Sequence, residues 1–449
     1  MRCSEKVRLD PTRRTKPELR LLGDRVSRLW NAANYKCRQA FLAKTGVPVG
    51  ATLEALMKDE PDYRQLPSDI AQEVLKKLSE AWKSYFELRQ KWTGGKLKDK
   101  PGLPAYRKDR KTGERPFDLI PIKHSRSYSV DPRDAHIVLP RDRRRASGGG
   151  RLHVSYRGRV RFPGKMGRAE VTWDKVRRRW YMAWSVTVED LKPREGGLRA
   201  AIDLGVRISV SLSVEGQPQA LHFEAREALK DWDWLGREIA KEQAHIAGTR
   251  GPAREDRAPS SRAIARLHQL RRLRVEHAMR CMAKRIAEEC DHLGVTQVFM
   301  GWPKNILRDA KYGSSAWAGR IHAFWSFDKV LGYLAAALGN FGIAAARVGE
   351  RGSSSTCPTC NSGEVVRNPR WSLRCRSCGE RMHSDQAGSR NILRQQVADA
   401  GFGEVPGADR DGLEASPRTV TLRWDTHLWR ERFVNPGREE SLPEFKKAA

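Results

Sequence analysis

The chain has 449 residues, 39% of them hydrophobic, and carries a formal net charge of +31 from 85 Lys and Arg against 54 Asp and Glu. That length predicts about two or three domains, each with its own core. A surplus of this size points to a polyanion partner, because each neutralised phosphate releases counterions; solvated basic faces on an ordinary globular protein are the weaker account. No apolar run approaches the roughly 20 residues of a membrane span, and "MRCSEKVRLDPTRR" has no apolar signal core. A cytoplasmic protein without a membrane partner is therefore expected.

In chain order, "CSEKVRL" predicts a short strand. From Lys16 to about Lys100 the apolar spacing turns helical, with Leu22, Val26, Leu29, Trp30 and Ala33 on one stripe and Val74, Leu75, Leu78, Trp82 and Phe86 on another. Asp69, after Ser68, suits an N-cap of the second helix. From Phe117 to Val188 short alternating runs predict strands joined by turns, with a basic hairpin tip at Arg141–Arg151. There Trp180, Tyr181 and Trp184 alternate as a core face should, while the neighbouring arginines suit nucleic acid.

Composition shifts at "LKPREGGLRA". Three strands follow as a meander, Ala200 to Leu204, Ile208 to Val214 and Ala220 to Glu224. The segment "GTRGPAREDRAPSS" interrupts a helical stretch and is expected to be mobile. Then come an arginine-rich helix, the buried strand "VTQVFMGW", the apolar helix "AFWSFDKVLGYLAAALGNFG" and the buried strand "IAAARVGE". A meander followed by alternating helices and strands fits an RNase H-like core, though other α/β folds share the alternation. Beyond about Gly401 the chain is polar and rich in Pro and Gly, and a poorly ordered tail is expected.

Two features carry chemistry. Cys357-x2-Cys360 and Cys375-x2-Cys378 are separated by 14 residues. Four thiolates at this spacing suit one structural zinc ion, with "VVRNPRWSLRC" as the hairpin between two knuckles. A pair of redox CxxC motifs is the alternative. The other cysteines, Cys3, Cys37, Cys281 and Cys290, read as buried apolar fillers. The second feature is acidic. Asp203 ends an apolar strand, and Asp385 opens the helix "DQAGSRNIL", where it also suits an N-cap.

The order of these features resembles a split RuvC-type nuclease. "AIDLGVR" resembles the first RuvC motif and "HSDQAGSRNIL" the third, in the form H-x-D-x-x-G-x-x-N-I. A zinc ribbon just before the third motif marks TnpB transposon proteins and compact type V CRISPR effectors. The resemblance spans roughly residues 1 to 398 and is specific at 200 to 205 and 350 to 392. It implies a multidomain α+β chain. The first wedge strand would be 1–15, a helical recognition domain 16–100, a β-barrel-like wedge domain 101–195, an RNase H-like RuvC domain 196–350 and 383–400, and a target nucleic acid-binding zinc ribbon 351–382, with the tail 401–449.

One departure matters. The strand that supplies a glutamate in most of the family ends here in Met300, Gly301 and Trp302. Either the site is dead and the chain is an RNA-guided DNA-binding protein, or the glutamate has moved. Glu350, at the end of the neighbouring buried strand and seven residues before Cys357, is the favoured replacement, because "GERGSSSTC" resembles the form of relatives with a relocated glutamate. Glu276, Glu288 and Glu289 are weaker candidates. The resemblance then implies two catalytic Mg²⁺ held about 4 Å apart by Asp203, Glu350 and Asp385, one activating water and one stabilising the leaving oxygen. It implies a guide RNA and target double-stranded DNA as partners. A short flanking motif would be read in the duplex, and basic residues from Arg262 to Arg285 would line a channel for the heteroduplex. His383 reads first as a local hydrogen-bonding residue. A plain zinc-ribbon nucleic-acid binder would leave Asp203 and the strand order unexplained.

Overall fold

The computed structural model describes residues 2–107, 119–123, 127–140, 151–189, 191–205, 208–250, 261–302, 324, 326–350, 352–353, 355–369, 371–397 and 419–431. The basic tip expected at Arg141–Arg151, apart from Arg151, and residues 251–260 of the segment "GTRGPAREDRAPSS" lie outside these residues. The chain is a mixed α/β protein that separates into two compact units, Met1–Glu189 and Asp190–Ala449.

The first unit contains β1 (Arg2–Asp10), α1 (Thr15–Leu42), α2 (Ala51–Met57), α3 (Pro61–Gln65), α4 (Ser68–Thr93), β2 (Leu119–Ile122), β3 (Ser129–Asp131), β4 (His136–Leu139), β5 (Leu152–Arg157), β6 (Lys165–Asp174) and β7 (Arg179–Thr187). Its strands form one antiparallel sheet in the order β2-β6-β7-β1-β5-β4-β3. Period-two alternation drives β7 inward at Trp180, Met182, Trp184 and Val186, while Tyr181 stays half-buried. Burying side chains of this size is worth about 1.5–3 kcal/mol each. The α1 stripe Leu22, Val26, Leu29, Trp30 and Ala33 and the α4 stripe Val74, Leu75, Leu78 and Trp82 join the same core. One polar contact is sealed inside it, where Trp82 Nε1 donates to Asn34 Oδ1 at 3.2 Å.

Two details of α4 differ from expectation. Its inward residue in the last turns is Tyr85, seven residues after Leu78 and so nearly in line with it on the helix, whereas Phe86, eight residues on, turns away and is 40% exposed. Asp69 lies in the first turn and is not the cap; it accepts a hydrogen bond from Ser127 Oγ at 2.5 Å, and the cap position falls on Pro67.

The second unit contains β8 (Leu198–Asp203), β9 (Val210–Val214), β10 (Ala220–Glu224), α5 (Arg226–Arg250), α6 (Arg262–His292), β11 (Val295–Trp302), α7 (Phe327–Gly339), β12 (Ala344–Gly349), β13 (Val365–Val366), β14 (Ser372–Cys375), β15 (Arg381–His383), α8 (Ser384–Gln396), β16 (Thr419–Trp424) and β17 (Trp429–Glu431). The large sheet runs β12-β11-β8-β9-β10-β16-β17. The meander β8-β9-β10 is antiparallel, and β11 and β12 add in parallel on the β8 side. Strand period then decides what each face carries. Ala200, Ile202, Val298 and Met300 pack on α6 and α7, whereas Ala201 and Phe299 pack on Ile392 and Leu393 of α8. By the same parity Asp203, Gly301 and Glu350 belong to the α8 face.

The tail departs from expectation. Residues 419–431 form β16 and β17, and β16 pairs in parallel with β10. Trp424 and Trp429 are buried in the core of this unit, which is reason enough for the segment to be ordered. The cysteine fillers are split: Cys37 and Cys290 are buried, but Cys3 and Cys281 are only partly so. Among the described residues, no helix is long and apolar enough to cross a membrane.

Candidate active site

The face of the sheet under α8 gathers the acids. Asp203 is the last residue of β8, and Glu350 follows β12 directly. Asp385 stands in the first turn of α8, whose cap is His383 and not Asp385 itself; His383 Nδ1 accepts from the Asp385 backbone N–H at 3.2 Å. Along α8, residues 385, 388, 389 and 392 recur at helical spacing and look onto the sheet. Ser389 Oγ is fixed between Ser211 Oγ at 3.1 Å and Ser213 Oγ at 2.7 Å on β9, which sets the height of the helix over the strands.

Close approach is possible because two positions lack side chains. A Cβ built on Gly388 would collide with Asp203 Oδ2 and lie 2.9 Å from Asp203 Cγ, while one built on Gly301 would lie 2.5 Å from Glu350 Oε1. Gly205 also backs onto Asp385, whose Oδ2 would be 3.5 Å from a Cβ there. Two of the carboxylates act on the third. Asp203 is held well above the usual carboxylate range, first by burial and then by the charges of Glu350 and Asp385, with Arg367 and the Leu204 backbone N–H opposing. Burial pushes Glu350 up to about 7, against the pull of the same Leu204 N–H. Its Oε1 is buried with no hydrogen-bonding partner among the described residues.

The weaker glutamate candidates are not brought here. Glu276, Glu288 and Glu289 sit on α6, on the opposite face of the sheet, and pair with Lys329 at 3.3 Å, Lys284 at 3.4 Å and Arg285 at 3.3 Å. Part of the arginine face of α6 is likewise engaged within the chain: Arg274 pairs with Asp231 at 2.5 Å, and Arg271 lies over the Trp232 ring at 4.6 Å.

The zinc ligands converge. The sulfurs of Cys357, Cys360, Cys375 and Cys378 all lie within 4.8 Å of one another. Cys357 and Cys378 sulfurs are 3.7 Å apart, and those of Cys360 and Cys375 3.5 Å. A tetrahedron with Zn–S bonds of about 2.3 Å needs edges of about 3.8 Å, so the quartet fits zinc. The Cys375 thiol is drawn down to about 6, first by the Cys378 backbone N–H, which favours the thiolate a metal requires. The cysteines sit on a three-stranded ribbon, β13-β14-β15, whose core residues Leu373 and Met382 pack on Ala387 of α8.

Three contributors were not singled out from the sequence. Arg367, in the ribbon hairpin, places its charge near enough to act on Asp203, but it is one arginine among many basic residues and nothing local marks it. Asn391, quoted above only as a motif letter, donates to the carbonyls of Ser353 at 2.6 Å and Thr356 at 2.8 Å, and so ties α8 to the loop between Glu350 and Cys357. Gly301 was read as a missing acid when its contribution is space.

Comparison with known proteins agrees with the motifs. A family model described as "Probable transposase" (OrfB_IS605) matches residues 183–307, and one described as "Cas12f1-like, TNB domain" matches residues 327–392. The chain is 28% identical over 415 residues to the TnpB-like protein ORF457 of Acidianus two-tailed virus, covering 87% of this chain and 86% of that one. Among solved structures it is similar to the protein in a cryo-EM structure of the Cas12f1-sgRNA-target DNA complex, with a TM-score of 0.55, 14% identity, and 85% and 83% of the two chains covered. The resemblance to TnpB proteins and type V effectors read from the sequence is borne out in both sequence and fold.

Proposed function

We propose that the chain is an RNA-guided DNA endonuclease that binds a guide RNA, reads a short motif in duplex DNA beside the target, and hydrolyses the target at one RuvC-type site. The observation that carries this reading is the position of Glu350. Its carboxylate stands in the space above Gly301, on the same face as Asp203 and Asp385, so the missing acid of β11 is replaced from the next strand. A buried carboxylate oxygen with no hydrogen-bonding partner among the described residues is costly to keep, which suits an acid held for a cation better than a dead site.

In this reading the first unit provides the helical recognition segment and the barrel-like wedge, and the β12-β11-β8-β9-β10 order with α8 over it is the RNase H-like core. The acids suit magnesium. Glu350 and Asp385 both act against the charge on the buried Asp203, a repulsion that a divalent cation held by these hard oxygen donors would relieve. When bound, magnesium supplies water activation and neutralises charge on the phosphodiester. Asp203, Glu350 and Asp385 hold it, and α8 and the β9 serines fix their geometry. Arg367 offers a guanidinium beside Asp203, placed to take a phosphate oxygen in a charge-assisted hydrogen bond. The zinc ribbon organises and does not react, because its four ligands fill the coordination shell. The net charge of +31 suits the phosphates of a guide and its heteroduplex.

The test is guide-dependent cleavage with magnesium for the wild type and Glu350→Ala. Lost cutting with retained target binding supports the reading. Unchanged cutting removes Glu350 from the site, and guided binding by a wild type that never cuts moves the chain to the RNA-guided binder.

A further inference from the structure

Asp385 stands in the first turn of α8, and helix ends fray unless something holds them. The apolar seat of α8 on the sheet lies farther along, where Ile392 and Leu393 meet Ala201 and Phe299. Ser389 is anchored nearer the start, by Ser211 and Ser213. Ahead of both stands the cap, His383. Its Nδ1 accepts the Asp385 backbone N–H at 3.2 Å and lies 3.8 Å from Asp385 Oδ2. The setting of the His383 ring therefore bears on where the Asp385 carboxylate stands.

What meets that ring from the sheet comes from β10. His222 pairs in register with Ser211, and Ser211 with Asp203, so the three form one row across β10, β9 and β8. Residues directly opposed share a face, which puts His222 on the side of Asp203 and α8. Its strand neighbour Phe223 faces the other way, against Trp429. The His222 ring meets the His383 ring edge to face, with centroids 4.9 Å apart and planes 67° apart. His222 is only 2% exposed, and its Nε2 has no hydrogen-bonding partner among the described residues. A phenylalanine would fill the place without an unpaired buried nitrogen, so the contact between rings is what accounts for an aromatic side chain here. The side chains of His383 and Asp385 are partly exposed, whereas His222 lies too deep to touch a substrate.

We propose that His222 is a positioning residue for Asp385: its ring braces the ring of His383, and through it fixes the first turn of α8 and the carboxylate that turn presents. Edge-to-face contact is directional, so it sets the tilt of the cap as well as its distance from the sheet. The cap has a second aromatic neighbour in Trp371, whose plane lies 24° from that of His383 with centroids 6.2 Å apart. Sheet and ribbon thus both bear on the one ring that caps the helix. This inference rests on the nuclease reading above.

The experiment uses the full chain loaded with guide RNA, zinc and magnesium. The variants are His222→Ala, His222→Leu, His222→Phe, His383→Ala and the double variant His222→Ala with His383→Ala. Single-turnover cleavage is read beside amide hydrogen exchange over residues 384–389, which needs no catalysis. His222→Ala and His222→Leu should cut roughly ten- to a hundredfold more slowly, the effect of a carboxylate moved by up to 1 Å. Guide and target binding and zinc content should not change. Exchange in the first turn of α8 should quicken in both variants, while α1 in the other unit exchanges as before. His222→Phe should recover most of the cutting and of the protection. With His383→Ala already in place, His222→Ala should slow cutting by no more than about threefold further, because the brace has nothing left to act on. A leucine variant that matches the phenylalanine one means filled volume alone and overturns the proposal; both fill the site, so this comparison stands even if the alanine variant does not fold. Full additivity with His383→Ala overturns it too, as does slowed cutting with unchanged exchange in the turn. Each of these removes the role while the wild type still cuts. A wild type that cuts no better than Asp203→Asn removes the nuclease reading and the role together, so the two failures are told apart.

Discussion

Glu350 fills the space that a side chain on Gly301 would need: a Cβ built there lies 2.5 Å from Glu350 Oε1, 2.8 Å from its Cγ and 2.9 Å from Ile392 Cδ1. The two residues come from adjacent parallel strands, with Gly301 paired to Val348 and Trp302 to Gly349. In the proposed site the acid is thus supplied from one strand over. Gly301→Ala should displace the Glu350 carboxylate at small cost in stability, because the flexible end of the side chain can move. Cutting should fall about a hundredfold, the usual effect of a misplacement near 1 Å. Combining Gly301→Glu with Glu350→Gly should cut faster than Glu350→Gly alone, as measured by single-turnover cleavage. No recovery would mean the two positions are not exchangeable.

Gly388 makes the matching space on the other side. In an exposed helix, alanine in place of glycine stabilises by about 0.5–1 kcal/mol. Here the new methyl meets the Asp203 carboxylate, with Cγ at 2.9 Å. Gly388→Ala should therefore lose the helix benefit and slow cutting by about two orders of magnitude through misplacement of Asp203. Guide and target binding, read by mobility shift, should not change.

What the sequence disclosed and what it hid follow from range. The cysteine quartet and the Asp203 and Asp385 motifs are written in local spacing, and each side chain was legible before any packing was known. Glu350 was legible as a strand-end acid and through the resemblance of "GERGSSSTC" to relatives with a relocated glutamate. What its neighbour Gly301 does is decided by the packing of β11, β12 and α8, and a glycine that makes room looks the same as one that turns a chain. Arg367 and Asn391 act across more than a hundred and some thirty residues respectively, with no periodicity to betray them. The tail was misread for the opposite reason. Its composition is polar on average, and what orders 419–431 is the pairing of residues 419–423 with a strand about two hundred residues earlier and the burial of Trp424 and Trp429 in the core beside it.

Zinc removal separates the organising metal from the reacting one. Ribbon and helix are continuous, since β15 runs into α8 and the Trp371 carbonyl takes the Ser384 N–H at 2.8 Å. Structural zinc contributes about 10–16 kcal/mol of apparent binding energy to small sites, so its loss should loosen the ribbon and the first turn of α8. After chelation and dialysis, added magnesium alone should not restore cutting, while zinc followed by magnesium should. Cys375→Ser should show less than one zinc per chain by mass spectrometry and the same loss. Full activity with no bound zinc would remove this link.

Acid should weaken the protein partly through His222. Burial, with the His383 ring 4.9 Å away, lowers it from 6.5 to about 3, so the folded side chain is neutral. Its Nε2 has no hydrogen-bonding partner among the described residues. The unfolded chain binds a proton below about 6.5 while the folded one does not until about 3, so the unfolded state gains as pH falls through that window. The stability is complete above the unfolded value and is lost on the way down, by an amount on the order of a few kcal/mol. His222→Phe keeps a ring against His383 and removes the titration. Denaturant midpoints between pH 6.5 and 4 should fall less steeply for the variant than for the wild type. Equal slopes would mean that His222 is not charged on unfolding in this range.

The C-terminal hairpin should be a structural part of the second unit. Trp429 packs edge-on against Phe223 with centroids 5.4 Å apart, lies 5.7 Å from Trp424, and donates its indole N–H to the Ala278 carbonyl at 3.0 Å. It thereby clamps β10 to α6, and β10 carries His222 on its other face. Replacing a buried tryptophan by alanine costs about 3–5 kcal/mol, from lost contacts and the cavity left behind. For a unit of this size that should lower the melting temperature by about 6–20 °C. Truncation after residue 418 should cost at least as much, because it also leaves β10 as an open parallel edge. Calorimetry of the full chain, Trp429→Ala and the truncated chain checks this, and a truncation that melts with the wild type would show that the hairpin adds nothing to the fold.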